Sequence, residues 1–170
     1  MYKKMLAITA LLACSLGQAA EIRLEVEIPR LNVAEYHRPY VALWIEQDGR
    51  HLADLAVWYD MKLKDNEGEK WLKDMRQWWR RSGRGLEFPV DGISGATRAP
   101  GSHVISFNTT DDARLAALQQ GEYQLMVEAA REVGGREIVS LPMHWPASQT
   151  TTASVSGQSE LGRVTLTVNP

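Results

Sequence analysis

The 170-residue chain carries 19 lysine and arginine residues against 21 aspartate and glutamate residues, and Cys14 is its one cysteine. The slight negative charge argues against nucleic acid or anionic lipid as a partner. A lone cysteine excludes an internal disulfide and haem attachment through a C-x-x-C-H motif.

Residues 1–20 have the pattern of a secretory signal peptide: a basic start, a short apolar run, and the small residues Gly17 and Ala19 where a signal peptidase reads the chain. The pattern predicts a mature periplasmic chain of residues 21–170, which has 17 basic and 21 acidic residues once the two leader lysines are lost. Such a chain is long enough for one domain with its own core. Alternatively, the four residues ending at Cys14 resemble a bacterial lipobox, in which Cys14 would be lipidated. Both alternatives exclude cysteine catalysis and a cysteine-ligated metal.

Alternating apolar and polar residues predict antiparallel strands along most of the mature chain. The strand patterns occupy residues 21–28, 40–59, 103–108, 121–143 and 162–170. The second and fourth patterns are interrupted by Asp48-Gly49 and Gly134-Gly135, dipeptides that suit tight hairpin turns. About seven short strands without a strand–helix rhythm predict an all-β, immunoglobulin-like antiparallel β-sandwich.

Two interruptions of the strand pattern predict helices. Across residues 67–83, one helical stripe carries the apolar side chains Trp71, Leu72, Met75, Trp78 and Trp79. A briefer helix follows Thr110 or Asp111 as its N-cap, and the Ser/Thr-rich residues 143–160 predict a mobile polar loop. The tryptophan-rich helix and the Gly-rich loop after it, residues 61–103, are predicted to be an insertion in a sandwich that is complete without them. Loops on a rigid scaffold often carry function.

The Gly-rich loop contains a motif that resembles a known modification site: Asp91-Gly92-Ile93-Ser94-Gly95-Ala96-Thr97. It is similar to the flavinylation motif of bacterial extracytoplasmic electron-transfer proteins, such as the FMN-binding subunits of sodium-pumping quinone reductases. In those families an ApbE-type flavin transferase moves FMN from FAD onto the last hydroxyl. The resemblance implies that Thr97 is the FMN attachment residue, that Asp91 is recognised by the transferase, and that the motif core is Gly92, Ser94, Gly95 and Ala96.

The residue types suit this chemistry. Esterification needs a hydroxyl on accessible backbone, and Gly92 and Gly95 supply conformational freedom while Ala96 leaves space beside the hydroxyl. An alcohol is a weak nucleophile until a base removes its proton, and we expect the transferase to supply that base together with Mg²⁺. Arg98 is able to balance the phosphate charge, or it is simply a solvated arginine. In the competing interpretation, the Gly and Pro residues only turn the chain.

Over nearly its whole length the chain resembles DUF2271, a family of predicted periplasmic proteins, through the stretches GEYQLMVEAAREVGGRE and SELGRVTLTV. That family accompanies flavin transferases and membrane reductases with PepSY-like domains, so the resemblance implies both as partners. The resemblance to FMN-binding subunits covers only the seven motif residues, and the surrounding strands differ from their usual FMN-binding domain.

These patterns predict a periplasmic electron carrier with FMN esterified to Thr97, which relays electrons between a membrane reductase and an extracytoplasmic acceptor. One alternative is a cofactor-free, immunoglobulin-like binding or interaction module, and another is a flavin-dependent reductase with its own small substrate; fold alone does not separate them. Trp78 and Trp79 either pack the helix onto the domain or stack on the flavin. The four histidines lack metal-ligand spacing, and Ser94 lacks the strand-to-helix context of a hydrolase nucleophile.

Overall fold

A computed structural model describes residues 19–170, so the expected signal peptide and the lipidation of Cys14 lie outside the described residues. In the described part of the chain, nine strands form two sheets of four and five strands, with the orders β5-β1-β9-β8 and β4-β3-β2-β6-β7. Their bounds are β1 Glu21–Ile28, β2 Tyr40–Gln47, β3 Arg50–Tyr59, β4 Ser94–Ala96, β5 Gly101–Asn108, β6 Gly121–Ala130, β7 Arg136–Trp145, β8 Thr151–Ser156 and β9 Arg163–Asn169. All strand pairs are antiparallel except β3 with β4. The predicted all-β sandwich is confirmed.

The main core lies between the two sheets. The period-two pattern of β1 places Ile22, Leu24 and Val26 on its inner face, where all three are fully buried. They meet the inner residues of the five-stranded sheet, such as Leu43 and Leu125, in one cluster. Burial of each large side chain in this cluster stabilises the folded state by about 1.5–3 kcal/mol. The alternating apolar residues of the strands are therefore the main source of the fold's stability.

The five-stranded sheet is apolar on its outer face as well, which the sequence pattern did not reveal. That face carries Tyr40, Ala42, Trp44, Val57 and Tyr59. Residues 61–100, here called the covering segment, connect β3 to β5 and pack Leu72, Met75 and Trp78 onto this face in a second cluster. The sandwich is therefore not complete without the segment, because an apolar sheet face would then lie open to water.

The tryptophan-rich part of the covering segment is not one helix, as predicted, but two pieces. A run of 3₁₀ turns spans Lys64–Asp74, and helix α1 spans Arg76–Arg81. Asp65 and Asn66 have φ of 53° and 55°, which interrupts any regular helix at its start. Leu72, Met75 and Trp78 are nevertheless all buried. The apolar stripe therefore predicted correctly which of these side chains are buried, although the single helix it predicted is wrong.

The buried carboxylate of Glu128 holds the covering segment on the sheet. Glu128 of β6 accepts hydrogen bonds from the backbone nitrogen of Gln77 at 3.1 Å and of Trp78 at 2.7 Å, at the start of α1. Arg136 donates to the same carboxylate at 2.6 Å and neutralises it. A negative charge at a helix N-terminus is stabilising, and the fully buried position of Glu128 strengthens this interaction.

Three further details differ from the predictions. Helix α2 spans Ala113–Ala116 and is capped by Asp112, whose carboxylate accepts from the backbone nitrogen of Arg114 at 2.9 Å, and not by Thr110 or Asp111. Residues 143–160 are not a loop, because β7 extends to Trp145 and β8 pairs with β9. Ala153 and Val155 of β8 face the core, an alternation that the surrounding Ser and Thr residues obscure.

The two predicted hairpins are present, but their turns differ. Asp48 and Gly49 have φ of 52° and 72°, as the primed turn of a two-residue hairpin requires. In the other hairpin the residue with positive φ is Val133, at 53°, and not a glycine. A β-branched residue in this conformation is strained, and Val133 is also 80% exposed.

Candidate functional site

The motif forms an ordered edge strand and not the flexible loop that esterification chemistry suggested. Residues 94–96 pair in parallel with residues 57–59 of β3. At one end the nitrogen of Val57 donates to the carbonyl of Ile93 at 2.9 Å, and at the other the nitrogen of Thr97 donates to the carbonyl of Tyr59 at 3.2 Å. These bonds fix where Thr97 leaves the sheet.

The first half of the motif is a turn that starts the strand. Gly92 has φ of 68°, a conformation that favours glycine. The hydroxyl of Ser94 accepts from the nitrogen of Val90 at 2.8 Å, and the nitrogen of Ser94 donates to the carbonyl of Val90 at 2.9 Å. Ser94 therefore has a role in closing the turn. Burial raises the pKa of the neighbouring Tyr59 phenol, although a hydrogen bond with the Ser94 hydroxyl acts in the opposite direction.

The middle of the motif lies against Trp58. A Cβ atom at Gly95 would meet Cδ1 of Trp58 at 3.2 Å, which is tighter than ordinary packing. The guanidinium of Arg98 lies over the same indole, 5.2 Å from the ring centroid. This cation–π geometry directs Arg98 toward Trp58, so the predicted role of Arg98 in balancing a phosphate is not favoured by its position.

Thr97 and Ala96 line a cavity of about 370 Å³, here called the Thr97 cavity. Its other walls come from the β1–β2 connection (residues 36–38), the start of β2 at Tyr40, the exit of β3 (residues 60–63), and Glu132 in the β6–β7 turn. The volume lies within the range of small-molecule sites. Thr97 itself is half-buried, whereas Ala96 is exposed.

The Thr97 cavity has charged and aromatic walls. Arg38 and Lys62 line it, and within residues 19–170 neither has a carboxylate within 4 Å. Its third basic residue, His37, lies 2.9 Å from Glu35 and 3.6 Å from Glu132. The lining also holds the carboxylates Asp60 and Glu132, of which Glu132 lies beside His37. Arg38 and Lys62 are therefore the groups of this cavity that suit an anionic group such as a phosphate.

Two tyrosines complete this wall. Burial raises the pKa of Tyr40 to about 12 and raises the pKa of Tyr36 as well, so both phenols are neutral at physiological pH. The hydroxyl of Tyr36 is the one buried side-chain polar atom in the described part of the chain that has no hydrogen-bond partner. Buried polar atoms in native structures normally have a hydrogen-bond partner, so this hydroxyl needs an explanation. Because Tyr36 lines the cavity, a ligand bound there is one source of the missing partner.

Asp91 and Gly92 do not lie at the Thr97 cavity. They line a separate depression of about 580 Å³, together with Asp111, Asp112 and Arg114. Asp91 is exposed there. The structure therefore places Ala96 and Thr97 at one cavity and leaves the motif's acidic residue at a different one, where its exposure suits contact with an outside protein.

A third cavity, of about 640 Å³, lies where β4 leaves the edge of β3 unpaired, and it is called the Asp54 cavity here. Asp54 accepts hydrogen bonds from His51 Nε2 at 2.9 Å, from Trp78 Nε1 at 2.8 Å, and from the hydroxyl of Ser82. Burial opposes ionisation of Asp54, but the hydrogen bonds from His51, Ser82 and Trp78 outweigh it and lower its pKa. Leu52 and other apolar side chains form the rest of the lining.

None of the three tryptophans of the covering segment lines the Thr97 cavity. Trp78 is fully buried in the second core, Trp79 is half-buried with its ring centroid 6.2 Å from that of Trp78, and Trp71 is 38% exposed. Packing of the segment accounts for Trp78. A role of these side chains in stacking on a ligand at Thr97 is not favoured.

The wall residues of the Thr97 cavity were not identified from the sequence. Tyr36, Arg38, Lys62 and Glu132 come from three connections that meet at one end of the five-stranded sheet. No motif links them. One signal was available in the predicted strand pattern, which begins near residue 40 and ends near residue 59. In an antiparallel pair these two strand ends lie together, so the segments that flank them are at the same end of the pair.

Across residues 19–170, no group of three or more His, Cys, Asp or Glu side chains is placed to hold a metal ion. In that same part of the chain, every helix is too short or too polar to cross a bilayer.

The fold and the site define an all-β sandwich protein with a ligand-sized cavity at the end of a three-residue edge strand. A family model described as "Predicted periplasmic protein (DUF2271)" matches residues 21–163. The chain belongs to this family, whose description supports a periplasmic location. Searches of the curated proteins and of the solved structures returned no match.

Proposed function

We propose that this protein is a periplasmic flavoprotein electron carrier, with FMN attached through a phosphoester to Thr97. The observation that carries the proposal is the position of Thr97: the motif's last hydroxyl lies at the wall of a ligand-sized cavity that also contains two unpaired cations. The motif's resemblance to flavinylation sites and the family's periplasmic description agree with this, since ApbE-type transfer takes place outside the cytoplasm.

The residues around Thr97 fit the group. A phosphodiester keeps one negative charge, and Arg38 and Lys62 line the cavity that adjoins the attachment oxygen. Tyr36, Met61 and Leu63 supply aromatic and aliphatic surface for a flat heterocycle. When bound, FMN supplies reversible uptake of electrons and protons, while the protein provides placement and tunes the redox potential.

The attachment step balances as a phosphoryl transfer. The hydroxyl oxygen of Thr97 forms a bond to the phosphorus atom of the FMN half of FAD, and the bond between that phosphorus and the bridging oxygen breaks. AMP leaves with the electron pair, and the hydroxyl proton passes to a base of the transferase. Asp91, exposed at the separate depression, is available for recognition by the transferase and takes no part in the chemistry.

The test is co-expression of the full chain, exported to the periplasm, with an ApbE-type transferase. Intact-mass analysis should show the processed chain plus the mass of FMN less one water, and flavin fluorescence should survive denaturing electrophoresis. Thr97→Ala should abolish both signals, whereas Thr97→Ser should retain them because serine keeps the hydroxyl. Thr110→Ala, an exposed threonine outside the motif, is the matched control and should be modified fully.

An unmodified mass contradicts the proposal, provided that the same transferase modifies a known acceptor in the same cells. Modification that persists in Thr97→Ala would move the attachment to another hydroxyl, with Ser94 the first to examine. The proposed donor is a membrane reductase and the proposed acceptor lies outside the cytoplasm. Rapid steady-state turnover of a small substrate by the isolated flavoprotein would favour a reductase instead.

The Asp54 cavity favours a second candidate function, a cofactor-free binding module. It is larger than the Thr97 cavity, about 640 Å³ against 370 Å³, and it combines an apolar lining with a buried, hydrogen-bonded carboxylate. Sites of this composition bind small molecules. If the chain stays unmodified beside an active transferase, and a small ligand protects backbone amides at residues 51–54 from hydrogen exchange, this function replaces the electron carrier.

A further inference from the structure

The Thr97 cavity has walls of mixed character. Its lining includes the apolar side chains Met61 and Leu63 with the ring of Tyr36, the cations Arg38 and Lys62, and the carboxylates Asp60 and Glu132. Resting on the proposed attachment at Thr97, we infer that the apolar part receives the isoalloxazine ring and that the two cations face its anionic groups. The flavin is then seated on the protein and not merely tethered to it.

The apolar wall is the first argument. Met61 and Leu63 are each 42% exposed although they directly follow a buried strand. They do not pack into either core cluster. Apolar side chains that line a cavity are the usual contact surface for its ligand, and a flat aromatic ring system has the shape and the polarity to cover these two.

The unsatisfied hydroxyl of Tyr36 is the second argument. It has no hydrogen-bond partner, and the phenol is protonated at neutral pH like any tyrosine, with burial raising its pKa further. A neutral phenol is a donor, so it lacks an acceptor on a neighbouring molecule. The isoalloxazine ring offers carbonyl oxygens of that kind, whereas an aliphatic ligand does not.

The distribution of positive charge is the third argument. Arg98 immediately follows Thr97 in sequence, yet its guanidinium lies over Trp58 and does not line the cavity. The cations that do line it, Arg38 and Lys62, come from two other connections. Charge for the flavin is therefore supplied by the cavity and not by the motif, which explains why the motif alone does not define the seat.

The experiment uses the exported, transferase-modified full chain and measures the steady-state fluorescence anisotropy of the attached flavin. A seated ring moves only with the protein, whereas a tethered ring reorients on its own within nanoseconds. Leu63→Glu places a carboxylate in the apolar wall and should lower the anisotropy to about half of the unmutated value, because the ring is then released into fast motion. Val104→Glu, at a 51% exposed aliphatic position on β5, is the matched control and should leave it unchanged.

A second arm tests Tyr36. Tyr36→Phe keeps the ring and removes the hydroxyl, so the flavin absorption maxima should shift while the anisotropy stays high. Tyr123→Phe removes a phenol hydroxyl that donates to the carbonyl of Gln119 at 2.7 Å, away from this cavity, and should leave the spectrum unchanged. Mass analysis of every variant confirms that flavin is attached.

The outcomes separate the inference from the function on which it rests. A fully modified protein whose flavin has the low anisotropy of a free tether, or whose anisotropy and spectrum ignore both Leu63→Glu and Tyr36→Phe, overturns the seat while covalent attachment at Thr97 stands. A protein that is never modified overturns the proposed function, and the seat with it.

Discussion

Asp54→Asn should destabilise the protein by about 2 kcal/mol at neutral pH. The carboxylate is 7% exposed and accepts three hydrogen bonds, from His51, Trp78 and Ser82. A hydrogen bond to a charged group contributes about 1.5–3 kcal/mol and a neutral one about 1 kcal/mol, so loss of the charge weakens the three bonds by about 3 kcal/mol together. Asparagine avoids the cost of burying a charge, which offsets about 1 kcal/mol of that loss.

The effect should depend on pH in a defined direction. The pKa of Asp54 is lowered in the folded protein, and that of an unfolded aspartate is about 3.9. Its contribution to stability is therefore fully present above about pH 5 and is lost as the pH falls through the lowered folded value. The difference in free energy of unfolding between the wild type and Asp54→Asn should be present at neutral pH and should shrink as the pH falls below about 4.

The assay is urea unfolding followed by tryptophan fluorescence, at pH values from neutral down to the lowest at which the wild type folds. Asp48→Asn is the matched control: Asp48 is exposed in a turn with φ of 52°, a conformation that asparagine tolerates, so its free energy of unfolding should change by less than about 0.5 kcal/mol. Equal stabilities of wild type and Asp54→Asn at pH 7, or a difference that does not shrink in acid, would refute the reasoning.

Three other predictions follow from the same structure. Gly68→Ala should lower the free energy of unfolding by about 1–3 kcal/mol, because a Cβ atom there would overlap the carbonyl oxygen of Asp60. Gly85→Ala should be neutral, because no atom lies within 4 Å of the added Cβ. Urea unfolding checks both variants, and equal effects of the two would contradict the prediction. Tyr40, with its pKa raised to about 12, should stay un-ionised in an ultraviolet titration until well above pH 10. Its contribution to stability is present below about pH 10 and is lost as the pH rises through 12. A normal titration midpoint for every tyrosine would refute this prediction. Val133→Gly should raise the free energy of unfolding by up to about 1 kcal/mol, because it relieves a β-branched residue at φ of 53°; a loss of stability in thermal denaturation would show that the turn is not strained.

The sandwich could be predicted because apolar and polar residues alternate along its strands. Residues 22–28 alternate so regularly that a single register buries every apolar side chain. Asp48-Gly49 fixed one hairpin for a local reason, the positive φ that both residues adopt easily. Strand β8 was missed because only Ala153 and Val155 of its residues are apolar, and its place in the sheet comes from pairing with β9.

The site could be predicted only in part. The motif marked Thr97 by its residue types, but nothing in Ser94–Ala96 indicates a strand, since these residues gain their structure from β3, more than thirty positions earlier. The cations of the Thr97 cavity and the hydrogen bonds of Asp54 also depend on contacts between residues that are distant in sequence. Asp54 lies 24 positions from Trp78 and 28 from Ser82, and it meets them because the covering segment folds back over the sheet.

The ordered state of the motif strand is compatible with its modification because the strand is weakly held. Two hydrogen bonds flank the three-residue pairing with β3, one from Val57 to Ile93 and one from Thr97 to Tyr59. With a few bonds that each contribute about 1 kcal/mol, release of β4 alone costs about 3 kcal/mol, so roughly one molecule in a hundred is open at any time. A transferase that captures this open form needs no unfolding of the two cores. In the proposed function, re-pairing of β4 restores the bond from Thr97 to Tyr59 and would return a modified Thr97 to the wall of the Thr97 cavity. The same short strand would then both expose the hydroxyl and position the attached group.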